Sequence, residues 1–395
     1  MWVGVLMEPL RVPGLEPQRQ SQTKHLSLTH DLIGFHRNLT EIESITGNER
    51  GVGEWLADSL EAQGYHVEKQ YVEKKPVRFN VLAWPGEKRD AQVLVSSHID
   101  TVPPFYPYKH HKYPTNTTIS GRGSVDAKGS VAAQIIAANG LLAHDQIRPD
   151  DFALLYVVGE ETGGDGMRAA NTLDLHPNTI IFGEPTEGNL AAGHKGNLAC
   201  LLTAKGQAAH SGYPWLGRSA NEVLIKALAA LMQLSQNLPE SDKYGVTTIN
   251  IGKMEGGLAA NVVAQSASAD LAVRIAAGTP AFMKTAITKT VHKAVASFLD
   301  DGMKPEDVID ITFPSAGYGP IDIDTDVPGF DTITVNYGTD IPNFDQTVEG
   351  QKRYLYGPGS ILVAHSDHEM LTESQLKETV GGYQKIILHA LDTNE

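Results

Sequence analysis

The chain has 395 residues, which exceeds what one hydrophobic core usually organises, so its length predicts two domains. Hydrophobic residues make up 41% and charged residues 20%, a balance that is typical of globular proteins and excludes disordered and fibrous ones. Lys and Arg number 32 against 47 Asp and Glu, giving a net charge of −15. Because such a surface repels phosphate groups, nucleic acids and anionic membranes are not expected as partners.

The sequence carries no recognisable signal for a particular compartment. Its single cysteine, Cys200, has no partner for an internal disulfide and is expected to fill space in an apolar run. No apolar stretch reaches the ~18 residues that a membrane span requires. The first residues lack the basic start of a secretory signal, which predicts an intracellular protein unless the natural amino terminus differs.

The first half of the chain predicts an α/β domain. After a polar leader, residues 1–27, apolar residues at 32–39 recur at helical spacing, and Thr46 to Glu49 has the form of a capping box for a second helix. Short runs rich in valine and isoleucine then alternate with a helix of small apolar residues, 130–142. This rhythm is typical of a mostly parallel sheet flanked by helices. The predicted strands are 92–96, 152–158 and 178–182.

The middle of the chain has a different texture and predicts an α+β insert. Its order of strand, helix, strand, strand, helix, strand suggests a compact two-layer unit, residues 197–315. Segments 28–196 and 316–395 would then form one domain that the insert interrupts. The predicted elements of the insert are 198–205, 220–238, 247–251, 266–275, 281–298 and 307–312, and those after it are strands at 332–337 and 360–364 and a helix at 372–391.

Acidic and histidine side chains fall at the carboxyl ends of the predicted strands, where open α/β sheets gather their sites. Imidazole together with carboxylate is the donor set that zinc or another borderline divalent metal selects. Two imidazoles and three carboxylates would suffice for two metals that share a bridging aspartate. Of the neighbours Glu160 and Glu161, one would bind metal and the other would act as general base. The set comprises His98, Asp100, Asp126, Glu160, Glu161, Glu184 and His365.

These residues lie in motifs whose order and spacing are specific: SHIDTVP at 97–103, GRGSVDAKG at 121–129, GEE at 159–161, GEPT at 183–186, and His365 with Glu369. From about residue 28 to its end, the chain resembles the dinuclear-zinc exopeptidases and deacylases. That family includes carboxypeptidase G, acetylornithine deacetylase, succinyl-diaminopimelate desuccinylase and aminoacylase, and the chain looks closest to its fungal carboxypeptidase-like branch. The resemblance implies a zinc-exopeptidase sheet flanked by helices and interrupted by an α+β lid that also dimerises.

The resemblance implies how the residues would divide between two divalent metals, with zinc expected and cobalt as the alternative. His98 and Glu184 would bind one metal, Glu161 and His365 would bind the other, and Asp126 would bridge them.

Two further acids receive roles from the same resemblance. Asp100 would hydrogen-bond the second ring nitrogen of the first histidine ligand, and Glu160 would be the general base. The chain departs from many members by carrying Gly159 where they have aspartate. It also carries His368 beside His365, and His365 is favoured as the ligand because it directly follows a predicted strand.

Three residues of the lid are implied to serve the substrate. His210 would reach into the partner subunit's site to stabilise an oxyanion, and Arg274 would bind a carboxylate through its planar guanidinium. Asn261 matches another position that contacts substrate. The residues alone leave other roles open, namely turn residues at His210 and Asn261 and an ion pair between Arg274 and Asp270.

Together these features predict a metal-dependent hydrolase that cleaves an amide next to a free carboxylate, with Glu160 as base on a water activated by two metals. A carboxypeptidase-type exopeptidase is favoured. An N-acyl-amino-acid deacylase meets the same requirements, and in reverse such a site would join an acyl group to an amino acid. The alternative from another class is a non-catalytic dimeric binding protein. Expected partners are a peptide or N-acyl amino acid and a second copy of the chain.

Overall fold

The computed structural model describes residues 29–113 and 116–392, so the expected leader at 1–27 lies outside the described residues. Within those ranges, no helix is long and apolar enough to cross a bilayer. The described helices are α1 (Leu32–Glu41), α2 (Arg50–Ala62), α3 (Lys128–Ala143), α4 (Asp165–Ala170), α5 (Ala220–Ser235), α6 (Pro280–Ala294) and α7 (Glu373–Asp392). The described strands are β1 (His66–Lys74), β2 (Val77–Trp84), β3 (Val93–His98), β4 (Lys109–Lys112), β5 (Thr117–Ser120), β6 (Phe152–Val157), β7 (Thr179–Gly183), β8 (Leu190–His194), β9 (Gly196–Lys205), β10 (Glu240–Ser241), β11 (Gly245–Val246), β12 (Thr248–Gly256), β13 (Ser266–Ile275), β14 (Ile309–Thr312), β15 (Ile321–Asp322), β16 (Thr332–Val335), β17 (Lys352–Tyr356) and β18 (Met370–Thr372).

A six-stranded sheet in the order β1, β2, β6, β3, β7, β17 forms the centre of the part of the chain outside the insert, which we call the larger unit. Strands β6, β3, β7 and β17 are parallel, and β1 and β2 are antiparallel additions at one edge. Side chains alternate between its faces: Val95 and Ile181 join a core with α3 and α7, whereas Leu94 and Ile180 join a second core on the other face. Burial of both faces explains the continuous apolar runs and confirms the predicted mostly parallel α/β sheet.

A second, antiparallel sheet in the order β12, β13, β9, β14 has α5 and α6 packed on one face, and we call it the lid sheet after the role expected for this unit. The chain order β9, α5, β12, β13, α6, β14 confirms the predicted two-layer α+β architecture. Alternation along β9 places Leu198 and Cys200 in the core beneath the helices. Asn197 and Ala199 consequently face the opposite side, which we call the open face of the lid sheet.

The chain crosses from one sheet to the other between β8 and β9 and returns between β14 and β15, and the two crossings lie side by side. Asn197 and Tyr318 are paired there, since the backbone N–H of each donates to the carbonyl of the other at 3.0 Å. The ring of Tyr318 packs edge-on against His194, which is buried. His194 donates from Nδ1 to the Lys195 carbonyl at 2.8 Å, so its Nε2 accepts the hydroxyl proton of Thr339 at 3.0 Å. The crossing is therefore attached to the loop that contains Thr339.

The capping box predicted at Thr46 to Glu49 is wrong. Helix α2 begins at Arg50, and Glu49 at its N-cap position makes no side-chain capping bond. Glu49 is instead buried against Arg78, with an Oε1 to Nη2 distance of 2.7 Å. Thr46 donates its hydroxyl to Asp100 at 2.7 Å. Tertiary ion pairing and hydrogen bonding therefore take both side chains away from the helix terminus.

The strand predicted at 360–364 is also wrong, because that segment forms turns. The strand of this region is β17, which pairs in parallel with β7 and ends at Tyr356. Pro358 follows, which lacks the N–H that a ladder requires, and Gly359 has a φ of 72° in the left-handed region. These two residues explain why the apolar run Ile361 to Val363 does not extend the sheet.

Candidate metal centre

The first histidine and one glutamate of the set follow neighbouring parallel strands. His98 ends β3, and Glu184 comes directly after β7, which pairs with β3. Parallel neighbours end at the same edge of a sheet, so the two side chains meet, with His98 Nε2 3.7 Å from Glu184 Oε1. Both residues are buried.

Glu160 and Glu161 reach the same edge through a tight turn after β6. Gly159 adopts a left-handed φ of 77°, and a Cβ there would lie 2.6 Å from Arg78 Nη2. An aspartate at this position, as many relatives of the resembled family carry, would therefore be strained. The glycine lets the chain turn at once so that both glutamates face the sheet edge.

Asp126 lies between the two histidines of the set. Its Oδ1 is 3.1 Å from His98 Nε2, and its Oδ2 is 3.2 Å from His365 Nε2. His365 Nε2 is also 3.0 Å from Glu161 Oε2. One carboxylate thus connects a group with His98 and Glu184 to a group with His365 and Glu161, and the structure brings all five expected ligands together.

His365 reaches this cluster from a turn, with a left-handed φ of 63°, and not from the strand end on which the sequence argument depended. The Arg122 guanidinium fixes that turn, because it donates to the His365 carbonyl at 3.4 Å. His368 is exposed, and its Nδ1 lies 2.9 Å from Asp367. The structure therefore places His365, and not His368, beside Asp126.

Asp100 contacts the cluster differently from the expectation. His98 Nδ1 donates to the backbone carbonyl of Asp100 at 3.0 Å, whereas the Asp100 carboxylate lies 3.5 Å from that nitrogen. The carboxylate accepts the backbone N–H groups of Glu160 and Glu161 at 3.1 and 3.2 Å. It also accepts the Thr46 hydroxyl. Its main contact is therefore with the turn that carries the two glutamates.

The cluster gathers negative charge in a place that water reaches poorly. Burial, followed by the charge of Glu184, raises the pKa of Glu160 well above its usual value. Burial likewise raises the pKa of Glu184 well above its usual value. Hydrogen bonds to Asp126 and Glu161 raise the pKa of His365 to about 10. The four carboxylates of the cluster thus outnumber the two imidazoles that could offset their negative charge.

The donor set fits divalent cations. Ligand atoms of His98, Glu160 and Glu184 lie within 4.8 Å of one another, and so do those of His98, Asp126 and Glu161. In addition, Glu161 Oε1 is buried and has no hydrogen-bond partner among the described residues. An unpaired carboxylate oxygen is costly to bury, and a cation would satisfy it. Glu160 thus belongs to the same compact group of donor atoms as His98 and Glu184.

A cleft of about 880 Å³ opens beside the cluster. Asp126, Glu160 and Glu184 line it from the larger unit, while Asn197 and Arg274 line it from the open face of the lid sheet. Within 29–113 and 116–392, no hydrogen bond or ion pair involves the Arg274 guanidinium, so the alternative pairing with Asp270 is absent. Arg274 therefore presents a free cation to the cleft.

The other two expected substrate contacts lie elsewhere on the chain. His210 and Asn261 do not line this cleft in the described part of the chain. His210 is exposed and pairs with Val262, and its Nδ1 accepts the backbone N–H of Gly212 at 3.0 Å. An exposed apolar residue lies close to each of them in the sequence: Trp215, near His210, is 73% exposed, and Leu258, near Asn261, is 94% exposed.

Sequence reasoning missed Asn197 and the paired role of Arg122 and Glu369. The alternation of β9 offered a signal for Asn197, because it places this polar side chain on the face opposite the buried Leu198. Arg122 Nη1 bonds Glu369 Oε2 at 2.6 Å, and both are buried. That pair had no local signal, since 247 positions separate the two residues.

Comparison with known proteins gives consistent results. Residues 192–304 match the M20 peptidase dimerisation domain. A probable carboxypeptidase of Neosartorya fischeri is 49% identical over 91% of this chain and 87% of that protein. A probable carboxypeptidase of Arthroderma otae is 43% identical over 95% of this chain and 89% of that protein.

Solved structures show the same fold. A tripeptidase from Staphylococcus aureus superposes with a TM-score of 0.73 at 22% identity, over 91% of this chain and 98% of that one. An M20 family metallo-carboxypeptidase from Sulfolobus solfataricus gives a TM-score of 0.68 at 16% identity, over 92% and 99%.

Proposed function

Since the chain belongs to the M20 family of metallopeptidases, we propose that it removes the carboxyl-terminal residue of a peptide, with two zinc ions and Glu160 as general base. As a member it is a metal-dependent hydrolase of the carboxypeptidase type, which sets aside the non-catalytic alternative. The observation that carries the two-metal proposal is the position of Asp126, whose two oxygens lie 3.1 and 3.2 Å from different histidines. A bridging ligand requires that geometry.

The two cations would be held by His98, Asp126, Glu161, Glu184 and His365. When bound, they supply Lewis acidity, which polarises the scissile carbonyl and lowers the pKa of a water. Glu160 would accept a proton from that water and return it to the leaving amine nitrogen. The neighbouring turn holds Glu160 in place, because Asp100 accepts its backbone N–H at 3.1 Å.

Arg274 supports cleavage at a chain end. Its guanidinium lines the cleft and has no hydrogen-bond or ion-pair partner among the described residues, and a planar guanidinium binds carboxylates through two parallel hydrogen bonds. A terminal carboxylate held there would place the last amide bond beside the metal ligands. Internal peptide bonds offer no such charge, which favours an exopeptidase.

We also propose that residues 197–315 serve as lid and dimerisation unit. The family match over 192–304 suggests a homodimer, and exposed apolar side chains such as Trp215 and Leu258 would be covered in it. His210 would then act in the partner subunit's site as an oxyanion donor. Its absence from the cleft of its own chain supports this assignment.

A substrate panel on zinc-loaded protein tests the proposal. We expect release of the terminal residue from N-blocked dipeptides, and loss of that activity with a chelator and recovery with zinc. Faster cleavage of N-acetyl amino acids than of blocked dipeptides would favour a deacylase instead. Absence of hydrolysis in both series, at two zinc ions per chain, would overturn the proposal.

A further inference from the structure

Asn197 and Arg274 are direct partners in the lid sheet. The register of β9 and β13 pairs Asn197 with Arg274, and two positions along it pairs Ala199 with Ala272. Side chains of directly paired residues project from the same face of an antiparallel sheet, with Cβ atoms about 5 Å apart. Because Leu198 and Val273 point into the helix-covered core, both Asn197 and Arg274 project from the open face.

The same two side chains meet the cleft beside the metal ligands. Asn197, Ala199 and Arg274 all line it. Across from them, Gly338 belongs to the larger unit, and a Cβ at that position would lie 3.5 Å from Arg274 Nη1. The guanidinium thus extends to the opposite side of the cleft, and Ala199 leaves space next to it.

The Asn197 side chain is free to serve a ligand. Its backbone is fixed by the two hydrogen bonds with Tyr318, but no hydrogen bond in the described part of the chain uses its side-chain amide. A half-buried amide with a fixed backbone and an unused N–H group is a preorganised donor. Next to a guanidinium, the ligand that satisfies both groups is a carboxylate.

We propose that Asn197 is a specificity-determining residue, which donates its amide N–H to the substrate carboxylate that Arg274 binds. This inference rests on the proposed function, since it names the group that distinguishes the substrate class within that site. Arg274 supplies the charge, and Asn197 supplies a directed hydrogen bond that selects a carboxylate placed toward the crossing between the sheets.

The substitution Asn197→Asp tests the proposal, since it replaces the donor by a carboxylate of nearly equal size. Kinetics with the panel's best substrate should show KM raised on the order of a hundredfold with kcat changed little, because a charged hydrogen bond is lost and repulsion is gained. Asn197→Ala should raise KM about tenfold, since it removes the donor without repulsion.

Binding without turnover gives the second measurement. Calorimetry on zinc-loaded protein compares a free amino acid, taken as the product, with the carboxamide of the same amino acid. Wild type should bind the carboxylate more tightly, and Asn197→Asp should reduce the ratio of the two affinities by at least about tenfold.

Asn250→Asp is the matched control. Asn250 pairs with Ala272 on the same face, but it does not line the cleft, so the same change of charge should leave the ratio as in wild type. An unchanged ratio in Asn197→Asp, or an equal fall in both variants, would overturn the proposal. If wild type hydrolyses no amide of the panel, the proposed function fails, while calorimetry still decides whether Asn197 selects a carboxylate.

Discussion

The Glu369 carboxylate accepts the backbone N–H of Asp126 at 3.2 Å. Its other oxygen bonds Arg122, and Arg122 in turn donates to the carbonyl of His365. The ion pair therefore connects the loop that carries the central aspartate to the turn that carries the second histidine. Neither Arg122 nor Glu369 lies within the ligand set, yet together they fix the distance between two of its members.

The variant Glu369→Gln should lose stability and zinc affinity together. It leaves Arg122 buried without its counter-charge, which costs about 3–5 kcal/mol in comparable buried pairs. Urea unfolding and competitive chelator titration measure the two effects. Glu349→Gln, an exposed glutamate, is the control. Wild-type zinc affinity in Glu369→Gln would show that the ion pair does not organise the site.

The variant Glu160→Gln should separate chemistry from metal binding. We expect it to fold, to bind two zinc ions and to lose turnover by about 10²–10⁴-fold, as removal of a general base does. Glu161→Gln should lose zinc as well as turnover. Metal analysis and kcat together distinguish the two roles. If Glu160→Gln binds only one zinc ion, Glu160 is a ligand, as its closeness to His98 and Glu184 would then explain.

The variant Asp100→Asn should reduce both zinc affinity and turnover. It places an amide where the carboxylate accepts two backbone N–H groups and the Thr46 hydroxyl, so the turn with both glutamates would loosen. Thr46→Val removes one of these bonds and should lower kcat about tenfold without unfolding the protein. If Thr46→Val leaves kcat unchanged, Asp100 acts through His98 alone.

Subunit mixing tests His210. In a dimer whose lid serves the partner subunit, Glu160→Ala and His210→Ala subunits should each be inactive alone and regain activity in the mixture. Random pairing makes about half of the dimers mixed, and each mixed dimer has one intact site, so recovery approaches about a quarter of wild-type turnover per chain. A mixture as inactive as its components would assign His210 to its own subunit or to a structural role.

His36 should make folding stability depend on pH. Burial chiefly, with the charge of Lys128, lowers its pKa to about 4, although Nε2 donates to the Ser124 carbonyl. Nδ1 has no partner in the described chain that could accept a second proton. The unfolded chain therefore binds this proton below about pH 6.5 and the folded chain only below about pH 4.

The free energy of unfolding should accordingly fall as the pH drops from about 6.5 to about 4, by roughly 3 kcal/mol from this group. Urea unfolding at a series of pH values measures it. In His36→Gln this part of the dependence should vanish, and His111→Gln, from an exposed strand, controls for loss of a histidine. An identical slope in wild type and His36→Gln would refute the assignment.

The sequence predicted the three central strands β6, β3 and β7 because they are buried on both faces and read as continuous apolar runs. The same reasoning missed β17 and the antiparallel strands β1 and β2. Charged residues interrupt the pattern of β1, because it is an edge strand whose side chains are half-exposed or exposed. The same reasoning also took the apolar run at 360–364 for a strand, although Pro358 and Gly359 end the sheet before it.

Three members of the ligand set were accessible to sequence reasoning because His98, Glu161 and Glu184 lie at the ends of strands that meet at one edge of the sheet. His365 was chosen for a reason that does not hold, since it follows a turn, and only the fold shows Asp126 beside it. The groups that hold the ligands could not be predicted. The contacts from Glu369 to Asp126 and from Thr46 to Asp100 span 243 and 54 positions, and no local pattern marks such pairs.

The paired crossing at Asn197 and Tyr318 also determines how the lid could move. Two mutual backbone hydrogen bonds oppose sliding at this point, so we expect any movement of the lid to be a rotation close to it. In a rotation, displacement grows with distance from the axis. Asn197 and its partner Arg274 lie at the crossing and would move least in such a rotation, while the far ends of β9 and β13 would move most. The two side chains proposed to bind the substrate carboxylate would then keep a constant distance from the metal ligands, whether the lid is open or closed. A constant distance would restrict cleavage to the amide bond that lies one residue from the terminal carboxylate.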